Sequence, residues 1–363
     1  MRVADLHCDT VERLAGGADL AQHNPDGHID IPRLRSGEVG LQAFAAYISP
    51  QTPEAEAFAA TASLLDQIER VCRENPDALS LVADAPTAEA VAADGRTGVL
   101  LTVENGHAIE ESIDNLESLR QRGVRSMAIV HSKNTAWAAS CSEDSCSFDG
   151  LSVFGETVVE AMNDMGMIVD VSHCHDTAFW KVARICRRMR KPFIASHSNA
   201  WAICSMPRNL KDDQIREIAD QGGVIGINFF PSFLDQTYHT VSKTRSQEML
   251  ETMAGIENQH EGDPTGKARA IEELRRSYRE KMSDTPVTSD SILNHLQHMV
   301  DLVGVDHVGF GSDFDGIPTT PTDVTGSDAY PMILDRLSGM GFSQADLEKI
   351  AWGNVMRVLK AHE

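Results

Sequence analysis

Basic residues are scarce in this chain. Its 363 residues carry 32 Lys and Arg against 54 Asp and Glu, a formal charge of −22. A nucleic-acid partner needs a basic face, and an anionic membrane attracts polybasic segments, so neither partner is expected. No apolar run approaches the length of a membrane span. The opening MRVADLHCDT lacks the basic-then-apolar order of a secretory leader, which points to the cytoplasm. Cysteine is also thin: Cys8, Cys72, Cys141, Cys146, Cys174, Cys186 and Cys204 are odd in number and scattered, which excludes a regular disulfide framework. Cys141 and Cys146 lie close together, but no second pair completes a structural zinc site. Internal repeats, low-complexity tracts and a clear linker are absent too, so residues 1–363 read as a single domain.

What is present is apolar and regularly spaced. Hydrophobic residues make up 42% of the chain, enough for a large core. Eight apolar runs end in polar residues, at 3–7, 40–48, 98–104, 126–131, 167–173, 192–197, 223–228 and 307–313. Near-continuous apolar runs suit parallel strands buried on both faces. Helical spacing separates most of them: Leu64, Leu65, Ile68, Val71 and Cys72 share a face, as do Ile109, Ile113 and Leu116. Ile292, Leu296, Met299 and Val303 repeat the pattern, and so do Leu347, Ile350, Ala351, Val355 and Val358. Gly123 and Gly222 fall where helices should stop. This alternation predicts an α/β fold, a (β/α)8 TIM barrel, with a doubly wound open sheet as the alternative. A charged stretch at 231–290 does not fit a minimal barrel; it reads as an insertion after strand seven, a lid or an interface element. It includes a helix with Ile271, Leu274 and Tyr278 on one side.

The strand ends carry the chemistry. His7 and Asp9 close the first run, Glu104 the third, His131 the fourth, His173 the fifth, His197 the sixth and Asp313 the eighth. In a barrel these ends surround one mouth. Mixed imidazole and carboxylate donors suit zinc or another transition metal better than calcium or magnesium. Two ions about 3.5–4 Å apart need a shared carboxylate with ligands on both flanks, and Glu104 is placed to be that bridge. Cys8 and Cys174 alternate away from these ligands into packing. His175 belongs to a turn before a helix capped by Asp176. GFGSDFDG lacks the order of a phosphate loop.

Several segments then resemble the membrane (renal) dipeptidase family, the zinc dipeptidases of peptidase family M19 within the amidohydrolases. They are DLHCDT, TVENGHAIE, VHSKNTAWA, GLSVFGETVVEAMNDMGMIVDVSH, PFIASHSNAWAICSMPRNLKDD, GFGSDFDG and KIAWGNVMRVL. The resemblance implies two Zn2+ per chain, with His7 and Asp9 on the first, His173 and His197 on the second and Glu104 bridging. It implies that His131 polarises the substrate carbonyl, that Arg208 holds the terminal carboxylate and that Asp313 is the acid/base. The implied reaction is hydrolysis of dipeptides, including L-Xaa-D-Xaa, by a metal-bridging hydroxide, in a homodimer. Animal members carry a leader, a lipid anchor and disulfides; Lys133 stands here where a bridging cysteine is expected, and the insertion is longer. Competing readings are N-acyl amino acid deacylation or lactam hydrolysis at the same centre, and a silent metal-binding scaffold. Tyr47, Trp137 and Phe230 are candidate pocket residues.

Overall fold

Parallel pairing decides between the two expected architectures. The computed structural model describes residues 1–260, 262–282 and 284–363, without the side chains at 244, 246–248, 250, 257, 258 and 279. Among these residues nine strands form: β1 (Val3–Asp5), β2 (Val39–Tyr47), β3 (Leu79–Val82), β4 (Thr97–Glu104), β5 (Ser126–Ala128), β6 (Ile168–Asp170), β7 (Ile194–Ala195), β8 (Val224–Ile227) and β9 (Val308–Phe310). They hydrogen-bond in the order β2-β1-β9-β8-β7-β6-β5-β4-β3, and β2 also pairs with β4. That last pairing closes a ring of eight parallel strands, so the fold is a TIM barrel and the open sheet is excluded. Each barrel strand coincides with one of the eight apolar runs. β3 is additional: it pairs with Thr97 to Leu100 of β4, and β5 takes over the same edge from Thr102.

Two apolar clusters hold the barrel. One lies between the strands and the surrounding helices and includes Leu65, Ile68, Leu116, Ile292, Leu296 and Met299, as the helical spacing predicted. The other fills the N-terminal end of the barrel, where Leu6, Ala43, Leu100, Ile168, Ile194 and Val224 meet Val355, Val358 and Leu359 of the helix Asn354–Ala361. This plug leaves the opposite end, where the strands finish, as the open mouth. Polar caps set the helix starts: Asp30, Asp84, Ser112 and Ser152 each accept a backbone N–H of the first turn.

After β8 the chain forms the helices Pro231–Leu234, Gln236–Gln259 and Pro264–Met282. The third is the charged helix read from the sequence, with Ile271 and Tyr278 buried. Helix Gln236–Gln259 had no legible signature. No helix among the described residues is long and apolar enough to cross a membrane.

Candidate active site

The strands stop earlier than the apolar runs do. Glu104 ends β4, whereas His7, Asp9, His131, His173, His197 and Asp313 lie just beyond their strands, in the βα loops of the mouth. His173 (φ 69°) and Asp313 (φ 63°) have left-handed backbones. Such residues cost about 1–3 kcal/mol each and cluster at functional sites. The β2–β4 register sets Tyr47 beside Glu104.

All seven side chains converge, and Glu104 divides them. Its Oε2 lies 3.7 Å from His7 Nε2, which is 3.5 Å from Asp9 Oδ2. Its Oε1 lies 3.0 Å from His173 Nε2 and 3.4 Å from His197 Nε2. His131 Nε2 stands 4.0 Å from the same Oε1. Three groups could each hold a cation: His7–Glu104–His197, Glu104–His131–His173 and His7–Asp9–Asp313. The structure thus brings His131 and Asp313 within ligating reach, beyond the five ligands that the resemblance implied.

Electrostatics hold three of the four imidazoles in the neutral, donor form and load the His7 side of the cluster with protons. Burial holds the His173 and His197 imidazoles well below their usual range, with Arg208 contributing to both. Burial also depresses His131, to about 3. For His7, burial is outweighed by Glu104 and Asp9, which push it up to about 10. Burial and the Asp9 charge raise Glu104 well above the carboxylate range. Burial, opposed by His7, puts Asp313 at about 7. Carboxylates crowded into a dry site are relieved by a cation.

Several supporting residues were missed. Asp5 accepts Ser312 N–H at 2.9 Å, Ser312 Oγ at 2.6 Å and Tyr330 OH at 2.6 Å, tying the end of β1 to that of β9. Asp170 accepts Ser172 N–H and Ser196 N–H, both at 2.9 Å, and the Ser196 hydroxyl. Ser196 Oγ lies 2.7 Å from His197 Nδ1. Because the hydroxyl donates its hydrogen bond to Asp170, it accepts from Nδ1–H, which leaves the His197 Nε2 lone pair facing Glu104. Asn228 Nδ2 donates to Asp313 Oδ2 at 2.8 Å. The signal for Asp5 and Asp170 was present: an Asp inside an apolar run must be buried and partnered.

Arg208 is buried over the Phe233 ring, 5.6 Å from its centroid. It donates to Ser198 Oγ at 3.1 Å and the His197 carbonyl at 2.9 Å, and its Nε has no partner. Among the described residues no carboxylate pairs with it. Tyr47 meets the His131 ring edge-on at 4.8 Å. Trp137, a candidate pocket residue, is instead packed in the core at 1% exposure. His175 is itself the helix cap, accepting Thr177 N–H, so Asp176 is not; it binds Lys211 instead. Cys8 is fully buried, as its alternation predicted.

The residues fit a metal. His7 Nε2 and Asp9 Oδ1 are buried without a hydrogen-bond partner, and imidazoles grouped with carboxylates form a transition-metal donor set. A TIM barrel with such a cluster at its mouth has the architecture of a metal-dependent hydrolase. A sequence model of the membrane dipeptidases (peptidase family M19) matches residues 1–363. Dipeptidase aclJ of Aspergillus oryzae is 30% identical over 342 residues, covering 92% of this chain and 69% of that protein. Dipeptidase 3 of Rattus norvegicus is 27% identical over 350 residues, covering 95% of this chain but 61% of its own length. A metallo peptidase from Rhodobacter sphaeroides, solved with a phosphinate mimic of the dipeptide L-Ala-D-Ala, shares the fold at a TM-score of 0.80 and 24% identity, over 100% of this chain and 99% of that one. The chain belongs to the membrane dipeptidase family, M19, and is by class a metallodipeptidase.

Proposed function

We propose that the protein hydrolyses dipeptides at a two-zinc centre held by His7 and Asp9 on one side, His173 and His197 on the other, and Glu104 between them. The observation that carries this reading is the division of Glu104, one oxygen toward His7 and the other toward His173 and His197. Two bound zinc ions would supply activation of water near neutral pH and polarisation of a carbonyl.

The chain's own residues do the rest. Arg208, buried and unpaired with any described carboxylate, binds the substrate's terminal carboxylate. This selects dipeptides, because the carboxylate must lie one residue beyond the scissile bond. His131, kept neutral by burial, donates from Nε2 to the developing oxyanion, while Ser132 Oγ, 3.1 Å from Nδ1, fixes the ring. Asp313, near neutrality and held by Asn228, takes the proton of the attacking water and passes it to the leaving amine. The fold is shared with a peptidase that binds a mimic of L-Ala-D-Ala, so D-terminal dipeptides are the first to try.

The test is hydrolysis of paired L-Xaa-L-Ala and L-Xaa-D-Ala libraries beside N-acetyl amino acids, with metal analysis of the same sample. Two metals per chain and turnover of both libraries are expected. Turnover of N-acetyl amino acids alone would replace the reading with deacylation, which Arg208 suits equally. Two metals without any turnover would leave a scaffold.

A further inference from the structure

Arg275 sits on the charged helix Pro264–Met282, one turn from Ile271 and from Tyr278, both buried. Its side chain therefore faces inward, and it is only 6% exposed. Its Nε has no partner, and no acceptor among the described residues meets its guanidinium. Arg13 on the same wall is neutralised, by Glu272 at 3.2 Å and Asp315 at 3.8 Å. Among the described residues Arg275 thus has no counter-ion, and its guanidinium borders a cavity in which an anion would complete it.

Arg275 lines a cavity of about 680 Å3. The other walls come from the helix Thr10–Ala15 and the turn after it, with Glu12, Arg13 and Gly16, from the end of β2, with Tyr47 and Ser49, and from Leu64 of the helix Glu54–Glu74. Tyr47 links this cavity to the metal cluster, because its ring meets that of His131 at 4.8 Å. The ring of strands fixes the direction. Arg208 follows β7, four strands from β2 in the ring of eight, which is the opposite side of the mouth. A dipeptide with its terminal carboxylate on Arg208 and its peptide bond at the centre directs its N-terminal residue toward β2 and this cavity.

We infer that Arg275 binds the side-chain carboxylate of an acidic N-terminal residue, making the enzyme selective for Asp-Xaa and Glu-Xaa dipeptides. The inference rests on the dipeptidase reading above. The helix that carries Arg275 belongs to the insertion, so the insertion supplies the specificity wall. The chain's net charge of −22 repels acidic substrates overall, so a local unpaired cation is the means of admitting one.

The experiment compares kcat/KM for L-Glu-L-Ala and its neutral isostere L-Gln-L-Ala in the zinc-loaded wild type, R275M and R275K. A charge-assisted pair predicts a Glu/Gln ratio of about ten or more in the wild type. The ratio should fall at least about tenfold in R275M, mainly through KM, and be partly kept in R275K. Taking the ratio within one preparation cancels differences in folded fraction. A wild-type ratio near one overturns the inference even if R275M fails to fold, and so does an unchanged ratio in R275M. Free acetate that accelerates L-Ala-L-Ala hydrolysis in the wild type but not in R275M also overturns it, by assigning Arg275 to an effector anion. A protein that hydrolyses no dipeptide at all fails earlier, at the dipeptidase reading.

Discussion

Asp313 and His197 show how single side chains are set for their tasks. Asp313 is held by Asn228 at 2.8 Å on a left-handed backbone, and burial places it near pH 7. Asp313→Asn keeps the shape and removes the proton acceptor. We expect kcat/KM to fall by about 10²–10⁴ while zinc content and melting temperature stay put. Steady-state kinetics with metal analysis checks this, and loss of zinc along with activity would make Asp313 a ligand. His197 depends on Ser196, whose hydroxyl donates a hydrogen bond to Asp170 and accepts one from His197 Nδ1. Ser196→Ala breaks that chain and frees the imidazole to turn. Zinc affinity should drop by about 10–100-fold in a chelator competition, and an unchanged affinity would reduce Ser196 to packing.

Elements bring these residues together, and the loop after β9 does so most sharply. At Gly316 an added Cβ would stand 2.1 Å from Asp9 Oδ2 and 2.5 Å from Asp313 Oδ1. Gly316→Ala must push one carboxylate aside, and misplacement by about 1 Å costs on the order of 100-fold in rate. We expect that loss in kcat/KM with an unaltered circular dichroism spectrum; normal activity would show that the loop can yield. The strand positions of the barrel were legible because buried parallel strands read as unbroken apolar runs. β3 was not, because it is four residues long with a half-exposed pattern. The seven mouth residues were legible because each closes an apolar run. The role of Gly316 depends on how closely two remote loops approach, and no local pattern encodes that. Arg275 was hidden among the many charges of the stretch at 231–290, although Ile271 and Tyr278 already marked its face as the inner one.

Two buried histidines outside the cluster at the mouth make the stability of the whole molecule depend on pH. His295 accepts Ala200 N–H on Nδ1 and donates from Nε2 to the Leu234 carbonyl, both at 2.9 Å, so it joins the loop after β7 to the helix Pro231–Leu234. His362 donates from Nε2 to the Pro192 carbonyl at 2.8 Å, so it ties the C-terminus to the start of the β7 segment. Burial lowers both to about 4 from 6.5. The unfolded chain therefore binds more protons between pH 4 and 6.5, and the native state loses stability as pH falls through that window. From pH 7 to pH 5 each histidine should cost roughly 2 kcal/mol. Other groups titrate over the same range, so the informative quantity is the difference between wild type and His362→Gln. Gln can keep the donor to Pro192 but does not titrate. Urea unfolding at pH 7 and pH 5 should show the variant losing roughly 2 kcal/mol less than the wild type over that step. Equal losses in the two proteins would mean that His362 is protonated as easily when folded as when unfolded, and that water reaches it in the native state.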